Sequence, residues 1–339
     1  MHNTRVAVVV PCFNEALAIA AVIQACRQAL PNAEIYIFDN ASTDETAEIA
    51  QQAAANVVTV HHRGKGNVVR RMFADVDADI YVMLDGDATY DVSMLPLHVE
   101  QVCTQGLDML VGRRVDDGDI GAYRAGHRWG NRLLTGTVAR LFGGPLGDML
   151  SGYRIFSRRY VKSFPALTLG FEIETELTVH ALELRMPSAE VPVRYFSRPE
   201  GSASKLSTYR DGWKILCLIA RLVISERPLQ FFSVVGGILL LIALAMGTPL
   251  FMTYLDSGLV PRFPTAILAT GTVLTAMVAL ACGVILHTVT LGRREIKRLA
   301  YLAIHGPLAA PTHQCKPCAR AQPWGDEDLA KASTLESTT

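Results

Sequence analysis

The chain has 339 residues, a length that suggests one large domain or two small ones. Its 32 Lys and Arg residues balance 32 Asp and Glu residues, which removes the bulk electrostatic case for nucleic-acid binding. Half of the residues are hydrophobic, and they gather in long uncharged runs toward the C-terminus, which argues against a purely water-soluble chain.

In chain order, Arg5 to Val10 reads as a strand ending at Pro11, and Glu15 to Leu30 carries apolar residues at helical spacing. Ile35 to Phe38 is a second strand ending at Asp39. Thr43 to Ala55 reads as a helix capped from the Ser42/Thr43 end, followed by a strand at Val57 to Val60. A helix over Lys65 to Val76 precedes the strand Ile80-Tyr81-Val82-Met83-Leu84, which runs into Asp85-Gly86-Asp87. Strands alternating with helices of about a dozen residues imply a parallel, doubly wound α/β sheet. Further on come a short strand at Met109 to Gly112, an Arg-rich helix over Gly121 to Leu141, the segment LGDMLSGYRIF, a helix over Phe171 to Leu184 and a strand near Val191 to Phe196.

Two carboxylates at the C-terminal end of a buried strand lie where open α/β sheets place their ligands, and hard divalent cations take carboxylate oxygens while leaving room for phosphates. Asp and Gly are also ordinary turn residues, so the tripeptide alone leaves both readings open. The first turn, Pro11-Cys12-Phe13-Asn14-Glu15, lacks the G-x-G-x-x-G of a dinucleotide-binding dehydrogenase. Gly64-Lys65-Gly66-Asn67 offers a cationic loop without P-loop spacing. Arg113, Arg114, Arg124, Arg128 and Arg132 crowd into twenty residues, and guanidinium groups suit phosphate oxygens. A solvated basic face is the competing explanation. Cys315 and Cys318 form a lone C-x-x-C in a polar tail, which lacks the second pair of a zinc site.

Phe231 to Leu255 is 25 residues without a charge and Phe263 to Gly292 another 30, each long enough to cross a hydrocarbon core of about 30 Å. Arg221 and Arg227 precede the first run, and Arg293, Arg294, Lys297 and Arg298 follow the second, which places both ends on the cytoplasmic side. Thr208 to Ser225 is basic and amphipathic and is expected to lie in the membrane interface.

VVVPCFNE, IFDNASTDET, GKGNVVRRMF, VMLDGDATYD, VGRR and SGYRIF occur in the order seen in family 2 glycosyltransferases. The chain resembles the polyprenyl-phosphate glycosyltransferases of that family, including dolichyl-phosphate mannose synthases, over about residues 5 to 225. That resemblance implies a GT-A fold. It also implies that Pro11, Asn14, Glu15, Asp39, Lys65 and Asp85 bind a nucleotide-sugar donor, and that Asp85 and Asp87 hold Mg²⁺ or Mn²⁺. Arg113, Arg114, Arg128, Arg132, Arg154 and Lys205 are the candidates for the acceptor phosphate, with Asp85, Asp87 and Arg128 central to catalysis. Two departures stand out: Thr89 occupies the position where some relatives place a third metal ligand, Gln, and Asp39-Asn40 replaces the common Asp-Asp.

The resulting expectation is a cytoplasmic GT-A domain over 1–207, an interface helix over 208–227, membrane helices at 229–255 and 263–291, and a basic segment with a disordered tail over 292–339. Such an enzyme would be an integral membrane protein with its catalytic domain on the cytoplasmic face of the plasma or inner membrane. It would move one sugar, from a UDP-sugar in preference to GDP-mannose, to undecaprenyl or dolichyl phosphate, with no nucleic-acid partner and with a homo-oligomer and a flippase partner both open. The alternatives are a glycolipid synthase with a hydroxyl acceptor, using Asp148 or Glu174 as base, and a noncatalytic membrane scaffold.

Overall fold

The computed structural model describes residues 4–116, 147–170, 172–196, 224–260 and 262–307, with isolated positions at 136, 217, 220 and 221. The first strand, β1 (Val6–Cys12), is apolar without alternation because both of its faces are covered: Val8 and Val10 enter one core, and Ala7 and Val9 the other. The same holds for β4 (Ile80–Met83), where Ile80 and Val82 face one core and Tyr81 and Met83 the other. Helix α1 (Ile19–Ala29) buries Ile19, Val22, Ile23 and Cys26, the stripe that 3.6-residue periodicity puts on one face. Helix α3 (Lys65–Asp75) buries Val68, Val69, Met72 and Phe73 in the opposite core.

With β2 (Glu34–Asp39), β3 (Asn56–Thr59), β5 (Met109–Asp116), β6 (Arg154–Ser157) and β7 (Ser188–Tyr195), the sheet has seven strands in the order β3-β2-β1-β4-β6-β5-β7. The expectation of a wholly parallel sheet is corrected at one strand. β6 runs antiparallel to both neighbours, with Arg154 opposite Met83 on one side and Val111 on the other. A four-residue run buried on both faces carries no signal for direction, which the connections settle instead.

Helix α2 (Thr46–Gln52) also differs from its expected start, since neither Ser42 nor Thr43 caps it. Their groups bond Asn14 instead: Asn14 N donates to Ser42 Oγ at 2.9 Å, and Thr43 N donates to Asn14 Oδ1 at 2.8 Å. Helix α4 (Leu95–Gln105) covers the same core as α1, and α5 (Arg158–Ser163) is capped by Ser157 Oγ, which accepts from Tyr160 N. Helix α6 (Ile173–Glu183) is buried on most of its faces.

Two apolar helices follow, α7 (Pro228–Ser257) and α8 (Phe263–Leu302), both long and apolar enough to cross a membrane. Small residues line their contact, where Gly236 meets Ala276 and Leu280, and Gly283 meets Phe232 and Leu229, which lets the two backbones approach closely. At 40 residues α8 is about 60 Å long, twice the thickness of a hydrocarbon core of about 30 Å. The helix runs past 291 and carries the basic segment onward to Leu302. Three of the cations read as a membrane flank find buried carboxylates there. Arg294 and Lys297 bond Glu183 at 3.2 and 2.7 Å, while Arg293 and Arg294 reach Glu226.

One turn further, Tyr301 Oη donates to Asp108 Oδ2 at 2.7 Å. Asp108, wholly buried, also accepts from Ser157 Oγ at 2.6 Å and from both Arg159 Nε and Nη2 at 2.5 and 2.8 Å. Asp108→Asn leaves the Arg159 guanidinium without its anion and is expected to cost about 3 kcal/mol, the scale of a broken buried ion pair. A lowered thermal unfolding midpoint in detergent is the expected result, and an unchanged one would show that this clasp does not stabilise the chain.

Candidate active site

The C-terminal ends of β1, β2 and β4 lie side by side, with Cys12 in register with Asp39 and Val9 with Met83. Just beyond these strands Asn14, Ala41 and Ala88 adopt positive φ of 53°, 55° and 57°. Such backbone costs about 1–3 kcal/mol per non-glycine residue and tends to collect where a site is built. No sequence rule flagged the two alanines.

Asp87, 4 % exposed, is held by the residue that departs from the relatives' pattern: Thr89 Oγ1 donates to Asp87 Oδ1 at 2.6 Å, and Thr89 N donates to the same oxygen. Thr89 thus orients the carboxylate. Asp85 receives Lys65 Nζ on Oδ1 at 2.6 Å. On its other side Asp85 meets the backbone of Gly152, where a Cβ would overlap the carboxylate. The antiparallel β6 brings Gly152 there, and Gly152 N donates to Tyr90 Oη at 2.9 Å. Among the described residues no third His, Cys, Asp or Glu joins this pair in a metal-holding cluster.

Lys65 sits at the first turn of α3 and bonds Glu174 Oε1 at 2.6 Å as well as Asp85. Burial alone would lower its pKa, but the two carboxylates outweigh burial and hold the ammonium protonated. Glu174 is buried too, and burial pushes its carboxyl up while Lys65 draws it back. The preceding Gly64 has a φ of +123° and touches the carbonyl of Leu169 closely enough that no side chain fits. Residues 168 and 169 pack on the backbone of Gly64 and Gly66, on either side of Lys65, a contact across a hundred residues that no spacing rule reveals.

Asp39 is 4 % exposed, and its Oδ2 accepts from Ser42 N at 3.2 Å, while its buried Oδ1 has no hydrogen-bond partner. Asn40 accounts for the second departure from the relatives. Its amide donates to the carbonyls of Val60 and His62 at 3.0 and 2.8 Å and accepts from Gly64 N at 2.7 Å. An Asp could not donate to those carbonyls. Asn14 and Glu15 close the edge, Glu15 N donating to Thr46 Oγ1 at 2.9 Å, and Pro11 pairs in register with Phe38.

The acceptor candidates divide. Arg154 is corrected: its guanidinium is fully buried and donates to the carbonyls of Ser151, Met149 and Glu174 and to Thr178 Oγ1. It braces β6 against α6 and is closed to a phosphate. Arg114 forms a two-pronged pair with Asp148, at 2.7 and 2.9 Å, and lies 5.5 Å over the Tyr195 ring. Arg113, the adjacent residue on β5, is exposed. Arg124, Arg128, Arg132 and Lys205 lie outside the described residues, as do the expected interface helix over most of 208–227 and Cys315 and Cys318.

A mixed sheet of this order with an Asp-x-Asp pair after its fourth strand defines a glycosyltransferase domain of the GT-A kind. Residues 7–164 match the model of "Glycosyl transferase family 2". Glycosyltransferase AglJ of Haloferax volcanii is 37% identical over 235 residues, covering 68% of this chain and 76% of that protein. Dolichyl-phosphate hexose transferase of the same organism is 26% identical over 221 residues, covering 65% of this chain and 95% of that one. Glucosyl-3-phosphoglycerate synthase from Mycobacterium tuberculosis shares the fold, with a TM-score of 0.53 at 22% identity over 65% of this chain and 81% of that chain. The chain belongs to the family 2 glycosyltransferases. It is a glycosyltransferase whose relatives include polyprenyl-phosphate sugar transferases.

Proposed function

We propose that this enzyme is anchored in a membrane by α7 and α8 and transfers one sugar from a nucleotide-diphospho-sugar to a polyprenyl phosphate at the cytoplasmic face. The observation that carries the choice of acceptor concerns the two carboxylates that could serve a hydroxyl acceptor as base. Asp148 is engaged by Arg114, and Glu174 by Lys65. A phosphate needs no such base, because its second pKa is roughly 6 and it is already largely ionised near neutrality.

Asp85 and Asp87 are hard oxygen donors and fit Mg²⁺ or Mn²⁺, with the remaining coordination left to the donor diphosphate and water. When bound, the cation supplies positive charge to the departing diphosphate. The lipid phosphate oxygen forms the new bond to the anomeric carbon as the bond to the diphosphate breaks, and the nucleoside diphosphate leaves with the electron pair. In-line displacement inverts the configuration. Arg113, Arg128, Arg132 and Lys205 are the cations proposed to position the acceptor phosphate.

Asp39 Oδ1, buried and without a hydrogen-bond partner, is suited to accept the single N–H of a uracil ring. This supports a UDP-sugar over GDP-mannose. Membranes containing the full chain, given a panel of radiolabelled nucleotide sugars with undecaprenyl and dolichyl phosphates, should label lipid from a UDP-sugar. Labelling from GDP-mannose alone would overturn the donor assignment, and no labelling from any donor would favour a noncatalytic scaffold.

A further inference from the structure

The Lys65 ammonium lies between Asp85 and Glu174, 2.6 Å from an oxygen of each. Its side chain is 10% exposed and that of Glu174 9%, so this is a buried cation shared by two anions that lie 89 residues apart in sequence. An ammonium in such a place cannot be left without a counter-charge, because the desolvation cost of an isolated buried ion is several kcal/mol. If Asp85 were its sole partner, every cation that binds Asp85 would have to pull the carboxylate from Lys65 and strand the ammonium. Glu174 removes that conflict. It is fixed by its place in the first turn of α6, where its backbone carbonyl accepts from Arg154 Nη2 at 3.1 Å and from Thr178 Oγ1 at 3.2 Å.

We propose that Glu174 is a positioning residue that keeps a second anion on Lys65 so that Asp85 can turn to a divalent cation. The inference rests on the metal reading of Asp85 and Asp87 given above. With a cation bound, Lys65 would stay on Glu174, its charge compensated.

The test is Mn²⁺ binding by the purified full-length protein in detergent, read from the loss of the free-ion electron paramagnetic resonance signal and so independent of turnover. Glu174→Gln keeps the shape of the side chain and is expected to weaken Mn²⁺ binding about tenfold, whereas in a Lys65→Met background the same substitution should change it less than about twofold, since coupled residues are non-additive. Equal losses in both backgrounds would show that Glu174 acts only as a nearby negative charge and overturn the proposal, as would unchanged binding by Glu174→Gln. If Glu174→Gln is unfolded at the assay temperature, Glu174→Asp takes its place. With the charge retained, binding within about threefold of the unaltered protein supports the proposal, and a tenfold loss overturns it. Asp87→Asn separates the two readings. Mn²⁺ binding that survives it removes the metal site and this inference together, while binding lost in Asp87→Asn but unchanged in Glu174→Gln overturns the inference alone.

Discussion

Replacing Asp87 by Asn is expected to reduce sugar transfer on the order of 1,000-fold while leaving the fold and membrane insertion intact, the scale at which removal of transition-state charge stabilisation is felt. The substitution is isosteric. Asn retains an oxygen for Thr89 Oγ1, which donates to Asp87 Oδ1 at 2.6 Å, so the turn after β4 keeps that bond while the negative charge and one acceptor oxygen are lost. Chelation of divalent cations should produce a loss of the same order in the unaltered enzyme and little further loss in Asp87→Asn. Turnover by Asp87→Asn at the unaltered rate would remove the metal role from this pair.

Gly152→Ala is expected to lower kcat/KM at least about 100-fold, the effect of misplacing a catalytic group by about an ångström. A Cβ at 152 would overlap the Asp85 carboxylate, and of the two the carboxylate is the part able to move. The new methyl therefore drives Asp85 from its place instead of breaking the strand, and the thermal unfolding midpoint should shift by only a few degrees, equivalent to about 1 kcal/mol. A variant with full activity would show that Asp85 need not occupy the position seen here. A variant that fails to fold would place the strain in β6, and the two results are distinguished by circular dichroism before any assay.

How much of this was legible in the sequence depended on distance along the chain. The Asp-x-Asp pair was visible because strand, turn and carboxylates are contiguous, and the elements from β1 to β4 because apolar runs and helical stripes are local signals. Glu174 stands out in the sequence only as a possible base or as a helix-start carboxylate near the dipole; its pairing with Lys65 does not, because the two lie 109 residues apart. Arg154 misled for a physical reason: an Arg near a substrate strand suggests phosphate, yet five N–H donors can also be satisfied wholly inside a core when carbonyls converge on them. Arg293, Arg294 and Lys297 have the composition of a membrane flank, and only the length of α8 carries them onto Glu183 and Glu226.

Thr89 and Asn40 show the converse. Both stood out as departures from a family pattern, and in both the structure supplies a local cause: a hydroxyl that fixes Asp87, and an amide that must donate as well as accept. Neither departure dismantles the site. They change which bonds hold it in shape.

The most direct measurement is the chemistry of the lipid product. Membranes containing the full chain, a radiolabelled nucleotide sugar and a polyprenyl phosphate should yield a labelled lipid from which mild acid releases the free sugar, because a sugar joined through its anomeric carbon to a phosphate is acid-labile. A labelled lipid that survives the same treatment would show transfer to a hydroxyl and contradict the phosphate acceptor.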